Sequence, residues 1–163
     1  MRFTTKTEYG LVCLLYMTRH GHEREVFTVK EIVASEHFSM TYIQQIFHTL
    51  CDANIVTAHH GRQGGYSLAR PASQITLKEI VEALEGGTFE VFCEPDIRKE
   101  IVCTHFNMCG VKPVWQKTKN ILDDFFSSVT LEMLAGEERT VKTNLAAMPS
   151  RTTAPLSGIG KRP

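Results

Sequence analysis

The chain has 163 residues, enough for one domain around a single core of moderate size. Hydrophobic residues make up 42% and charged residues 22%, an ordinary soluble composition, and no apolar run approaches the roughly 18 residues of a membrane span. Eighteen Lys and Arg balance eighteen Asp and Glu, so net charge by itself suggests no nucleic-acid partner; only the seven histidines could add positive charge at lower pH.

The amino-terminal "MRFTTKTEYG" has neither the apolar stretch nor the cleavage site of a signal peptide, which predicts a cytoplasmic protein. There, five cysteines read as thiols or ligands, not as a disulfide framework. A first helix is expected from Thr5 to about Arg19, with Tyr9, Val12, Cys13, Tyr16 and Met17 as its apolar stripe. "HGHERE" breaks it. "TVKE" from Thr28 is a capping box, Glu31 standing three residues after the cap, and opens a short second helix.

Ser39 is the expected N-cap of a third helix, "MTYIQQIFHTLCDA". Ile43, Ile46, Phe47, Leu50 and Cys51 form its apolar face, while Thr41, Gln44, Gln45 and His48 form a polar face without an acidic residue. Two short strands, Ile55–Ala58 and Tyr66–Ala69, flank a glycine-rich turn. A second capping box, "TLKE" from Thr76, opens a helix that stops at Gly86-Gly87.

Cys93, Cys103 and Cys109 follow in a stretch of little periodicity, read as a loop, with gaps of nine and five residues. A long helix is expected from Lys112 to about Val129. Trp115, Thr118, Leu122, Phe125 and Val129 repeat in steps of three and four, a coiled-coil seam that needs a partner, most simply a second copy of the chain. Beyond Gly136 the composition turns to Thr, Pro, Ser and Gly, which predicts a disordered tail.

Three short helices and then a two-stranded ribbon with a Gly-rich tip is the order of a winged helix-turn-helix. The fold class expected is therefore mainly α with a small β-wing, plus the long helix as a dimerisation element. The N-terminal part of the third helix (Ser39, Thr41, Tyr42, Gln44, Gln45) would enter the major groove, where Gln can pair with adenine and Thr can meet a base edge or a thymine methyl. At the tip, His59, His60, Arg62 and Gln63 stand beside Gly61 and Gly64, which let the backbone approach phosphates, and an Arg there suits a narrow minor groove. Residues 1–90 hold eight Arg and Lys against ten Asp and Glu, so affinity must come from a locally basic tip, helix N-termini and two half-sites bound by a dimer.

The stretches "MRFTTKTEYGLVCLLYM", "SMTYIQQIFHTL", "GRQGGYSLARP", "ITLKEIVEALEG", the three late cysteines and "VWQKTKNILDDFFSSVTLEML" together resemble the bacterial IscR, NsrR and RirA type of winged-helix regulators, over residues 1 to about 135. The resemblance implies a homodimer joined through the long helix, a palindrome-like double-stranded DNA operator, and an iron–sulfur cluster of two or four irons on Cys93, Cys103 and Cys109. In such relatives a fourth ligand is an acidic residue near the start of the partner chain, or a His; Glu8 holds the former kind of position here, and His105, Asp96 and Glu94 are local rivals. Three departures stand out: Gln44 where the iron–sulfur biogenesis regulator has Glu, "HGRQGGY" where "RGPGGGY" is common, and a first cysteine gap longer than the usual five residues.

The organisation expected is a winged helix-turn-helix domain over 1–87, a cysteine loop over 88–110, a dimerisation helix over 111–135 and a disordered tail over 136–163. The function expected is a transcription regulator, as a repressor, responding to redox, nitric oxide or iron status. A cluster-free thiol switch of the same fold is the alternative, and zinc lacks the close cysteine pair that would support it. Cys13 and Cys51 fall on apolar helix faces and read as core residues. A thiol enzyme using Cys109 and His105 would lack a Cys-x-x-Cys pair and any nucleophile motif, so the expectation is a non-enzyme. A cluster carrier without a DNA role would leave the wing and the polar helix face unexplained.

Overall fold

A computed structural model describes residues 3–34, 36, 38–62, 64–89 and 109–149. Helices α1 (Thr5–His20), α2 (Val29–Ile32) and α3 (Met40–Asp52) lead into strands β1 (Val56–His59) and β2 (Gly65–Leu68). A 3-10 turn (Ala72–Gln74) precedes α4 (Leu77–Glu85), and α5 (Val111–Ser128), α6 (Leu131–Ala135) and α7 (Glu138–Ala147) follow among the described residues. This is a mostly helical fold with a two-stranded antiparallel wing, as the element order predicts.

Both capping boxes form. The Thr28 hydroxyl accepts from the Glu31 N–H while the Glu31 carboxylate accepts from the Thr28 N–H, and Thr76 and Glu79 repeat the exchange. Such reciprocal bonds satisfy N–H groups that a helix start otherwise leaves unpaired. Gly86, in the left-handed conformation at φ 88°, ends α4.

The core is built from Leu14 and Met17 of α1, Ile43, Ile46, Phe47 and Leu50 of α3, Ile80 of α4, and Phe27, Ile55 and Ile75 between elements, all at most 1% exposed. On α1 the buried set is Thr7, Gly10, Cys13, Leu14 and Met17; of the expected stripe Cys13 and Met17 belong to it, Tyr9 and Tyr16 pack partly buried against the core, and Val12 is 37% exposed. "LVCLLYM" is apolar around most of its circumference, so spacing alone does not single out a face. Gly10 does: a Cβ there would lie 2.6 Å from Leu84 Cδ1, so its bare backbone lets α4 dock on that side.

Both strands lie one residue closer to the wing tip than expected. Ile55 is used to close α3, its N–H donating to the Leu50 carbonyl, with Asn54 in the left-handed region at φ 55°. At the other end, pairing runs up to His59↔Gly65.

Two expectations for the C-terminal part are corrected. The long helix spans Val111–Ser128, within one residue of the expected 112–129, but the dimerisation segment drawn to residue 135 is not one helix: Val129 and Thr130 turn extended and pair with the segment before α4. Leu131, fully buried, then enters the winged-helix core. Residues 138–147 are helical where disorder was expected; "ERTVKTNLAA" combines good helix formers with a Glu138–Lys142 ion pair one turn apart. The remainder of that tail, 150–163, lies outside the described residues.

Candidate nucleic-acid interface

Helix α3 buries Ile43, Ile46, Phe47 and Leu50 and turns Thr41, Gln44, Gln45 and His48 to solvent. Its start is open. The Ser39 carbonyl accepts from the Ile43 N–H, but among the described residues no side-chain cap bond reaches the first N–H groups, which suits them to a phosphate. Ser39 is exposed. Tyr42 is only half-exposed: its ring meets Tyr9 edge-on at 6.0 Å, and Tyr9 stacks on Phe38 at 3.9 Å. Tyr42 is thereby part of an aromatic group that ties the start of α3 to α1.

The wing is fastened to α3 by Tyr66, whose ring lies 4.4 Å from that of Phe47, and to Phe27 by a pair of 2.8 Å backbone hydrogen bonds. Gly65 permits this: a Cβ on it would lie 2.4 Å from the Phe27 carbonyl oxygen. At the tip Gly61 has φ 106°, and the Gly64 N–H donates to the Gly61 carbonyl at 3.0 Å. His59, His60, Gly61 and Arg62 are exposed, with His59 Nε2 in a 2.8 Å hydrogen bond to Ser67 Oγ. Gln63 lies outside the described residues.

Several cations of the body are engaged internally. Arg24 pairs with Glu31, Arg70 with Glu79, and Lys78 with Glu82 and Asp123. Arg62 makes no ion pair among the described residues, so the wing tip keeps a cation for an outside partner.

Of the three late cysteines, Cys109 is described: a half-buried thiol directly before Gly110, the N-cap of α5. Cys93, Cys103 and His105 lie outside the described residues, as do Glu94 and Asp96. Glu8 is exposed in the first turn of α1, and among the described residues no group of three or more His, Cys, Asp and Glu is placed to hold a metal. Burial pushes the Cys13 thiol up to about 12, helped by the charge of Glu36; burial and then Asp52 also raise Cys51. Both stay protonated and unreactive, in keeping with core positions.

The stripe that α5 leaves open shares Thr118 and Phe125 with the expected seam and differs from it elsewhere. Val111, Val114, Ile121 and Phe125 are exposed and Thr118 is half-exposed, again in steps of three and four. Trp115, 39% exposed, flanks them, its ring 5.9 Å from Phe89. Leu122 is half-buried, while Val129 at 2% exposure is taken up by the chain's own core and is closed to a partner. Sequence spacing did not separate these two overlapping stripes, because each satisfies the same repeat through the shared Thr118 and Phe125.

No helix among the described residues is long and apolar enough to cross a membrane. The Rrf2 family model, described as an iron-dependent transcriptional regulator, matches residues 3–137. The chain is similar to protein rrf2 of Nitratidesulfovibrio vulgaris, 28% identical over 131 residues that make 80% of this chain and 85% of that one. It is also similar to the HTH-type transcriptional regulator IscR of Photorhabdus laumondii, 26% identical over 141 residues, 86% of this chain and 83% of the relative. Among solved structures it resembles CymR, the global cysteine regulator of B. subtilis, at 26% identity with a TM-score of 0.66 over 83% of this chain and 96% of that one. T. potens IscR follows at 26% identity with a TM-score of 0.60, over 91% and 93%. With a winged-helix body, an exposed polar helix face beside a glycine-tipped wing, and a family match spanning nearly all of the described chain, this protein belongs to the Rrf2 family of transcriptional regulators, a family of DNA-binding proteins and not of enzymes.

Proposed function

We propose that the protein is a homodimeric repressor that binds a palindrome-like operator and is controlled through an iron–sulfur cluster on Cys93, Cys103 and Cys109. The observation that carries the DNA reading is the exposed Thr41, Gln44, Gln45 and His48 face of α3 next to a wing tip whose Arg62 makes no ion pair among the described residues. The start of α3 enters a major groove, where Gln44 and Gln45 reach base edges and the open helix N-terminus meets a phosphate. Arg62 and the imidazoles of His59 and His60 follow the backbone into the adjacent minor groove. The open stripe of α5 supports a dimer, which places two such units on two half-sites.

The donor set suits the cofactor: three thiolates within seventeen residues are the soft ligands that iron–sulfur clusters take, and Cys109 leads directly into α5. Glu8, exposed near the start of α1, is the proposed fourth ligand, reaching the partner chain's cysteines. Bound there, the cluster supplies a centre reactive toward oxygen, nitric oxide and iron depletion. The protein's own part is to join that centre to α5, and α5 to the DNA-binding body.

Anaerobically purified protein is expected to be brown, with iron and acid-labile sulfide in cluster-forming ratio, and to protect an operator in a footprint. Colourless protein that still binds its operator would sink the cofactor reading. A thiol switch without a cluster is the second reading, favoured by likeness to CymR of Staphylococcus aureus, solved in an oxidized form at 25% identity with a TM-score of 0.61, and by the accessible thiol of Cys109. It predicts colourless protein whose operator binding changes with peroxide and returns with dithiothreitol.

A further inference from the structure

We propose that Asp123 is a positioning residue for operator recognition: it clamps α5 to α4 and thereby sets the spacing of half-sites that a dimer can span. This rests on the reading of α5 as the dimer helix.

Asp123 is on the inner side of α5. The exposed Ile121 and Phe125 lie two positions to either side, about 200° around the helix in each direction, so the carboxylate points away from the open stripe and into the body. Three groups from three places meet it. Oδ1 accepts from the hydroxyl of Thr88, a side chain only 2% exposed that follows α4. Oδ2 lies 3.8 Å from Nζ of Lys78 on α4 and 3.8 Å from Nζ of Lys119 on α5 itself. Lys78 is in turn 3.6 Å from Glu82 of its own helix.

Among the described residues, the aromatic and backbone ties between α5 and the body are less directional or lie at its end. Phe126 meets the ring of Phe3 at 6.2 Å, a contact that tolerates sliding. Beyond Ser128 the chain is pinned by two backbone hydrogen bonds, Leu77 N–H to the Val129 carbonyl and Leu131 N–H to the Ile75 carbonyl, each 2.8 Å. That pin holds one end of α5 but leaves it able to swing. Asp123 stands six residues, roughly 9 Å, up the helix from Val129, where a directional bond to Thr88 and a charge held by Lys78 stop the swing. In a dimer joined through α5, a small change of this angle is magnified at the two distant recognition helices. Alignment of α3 with both half-sites then depends on the clamp.

The test uses full-length wild type, Asp123→Asn and Lys78→Met, and DNA selected from a random library by wild type, with the spacer between half-sites lengthened or shortened by one and two base pairs. Light scattering confirms the oligomeric state and circular dichroism the fold. Wild type is expected to lose affinity sharply on altered spacers, while both variants stay dimeric, bind the selected spacing about tenfold more weakly and discriminate spacers poorly. Lys78→Met, which alters a partly exposed side chain, decides the matter if Asp123→Asn does not fold. A folded dimeric variant with wild-type spacer preference overturns this inference alone. A monomeric wild type, or one that selects a single half-site, overturns the dimer reading and this inference with it.

Discussion

The backbone N–H of Leu131 donates to the carbonyl of Ile75 at 2.8 Å, joining a residue beyond the long helix to the segment that opens α4. Leu131 has no exposed surface and packs in the same cluster as Leu14, Ile43 and Phe47. The DNA-binding body is therefore completed by chain that follows α5, and the C-terminal end of α5 returns to that body. Leu131→Ala should cost about 2–5 kcal/mol in urea unfolding, as expected for a fully buried leucine. Were residue 131 merely part of a dimer seam, the variant would lose dimerisation while its unfolding midpoint at low concentration stayed put.

Gly65 is held against the Phe27 backbone so closely that any Cβ collides with a carbonyl oxygen. Gly65→Ala must push the wing off its bridge to Phe27, at a cost of about 1–3 kcal/mol, and should weaken operator binding further by displacing the tip. Gly61→Ala meets no neighbouring atom but keeps a strained φ of 106°, so its effect should be smaller. Thermal melts and gel-shift titrations of the two variants give the order.

Base reading and backbone anchoring separate by their salt dependence. Arg62→Ala should weaken binding to all sequences alike and lower the slope of log affinity against log salt by about one per protomer. Gln44→Ala should leave that slope unchanged and relax preference at one base pair per half-site, by about 1–3 kcal/mol. Fluorescence anisotropy from low to moderate salt on matched and mismatched duplexes distinguishes them.

Glu85 ties the end of α4 to the start of α1, one carboxylate oxygen accepting from the Thr4 N–H and hydroxyl, each 2.8 Å away, and from the Thr7 hydroxyl. Burial pushes this carboxyl up, but the bonds from Thr7 and Thr4, with Lys6 nearby, outweigh it and hold it below the ordinary glutamate range. A group whose folded value is depressed stabilises the fold above its unfolded value, and that contribution fades as pH falls through the folded one. Glu85→Gln should therefore be less stable than wild type near neutrality, by no more than about 1 kcal/mol given partial hydration, and the two should converge under acid. Urea midpoints across the acid range provide the check.

Thiol accessibility gives a further test. Cys13 is fully buried and its thiol is pushed up to about 12, so iodoacetamide at neutral pH should spare it in the native protein. Cys109, half-exposed beside α5, should be alkylated in cluster-free protein and its labelling should fall when iron and sulfide are restored. Mass spectrometry of the labelled peptides reads both outcomes.

Much of the fold was legible in the residues because it is governed by local chemistry. Thr28 with Glu31 and Thr76 with Glu79 mark helix starts through bonds made within four residues, and Gly86 marks a stop by its backbone freedom. Ile43, Ile46, Phe47 and Leu50 identified the inner face of α3, and with it the outer polar face, because that helix is apolar on one side only. Thr41, Gln44 and Gln45 could be singled out for the same reason, at the start of a polar face whose acid, the exposed Asp52 at 3.3 Å from His48, comes only at the far end of the helix. Where two answers satisfied the same pattern, only packing chose between them. Helix α1 is apolar nearly all round, and its inner face was decided by Leu84 closing on Gly10. Helix α5 carries two overlapping stripes of equal period that share Thr118 and Phe125, and the side left open was decided by Asp123 meeting Thr88 and Lys78, and by Val129 and Leu131 turning back into the core. Periodicity reports that a face exists, whereas its direction is set by contacts between residues far apart in the chain, and those form only when the whole chain folds.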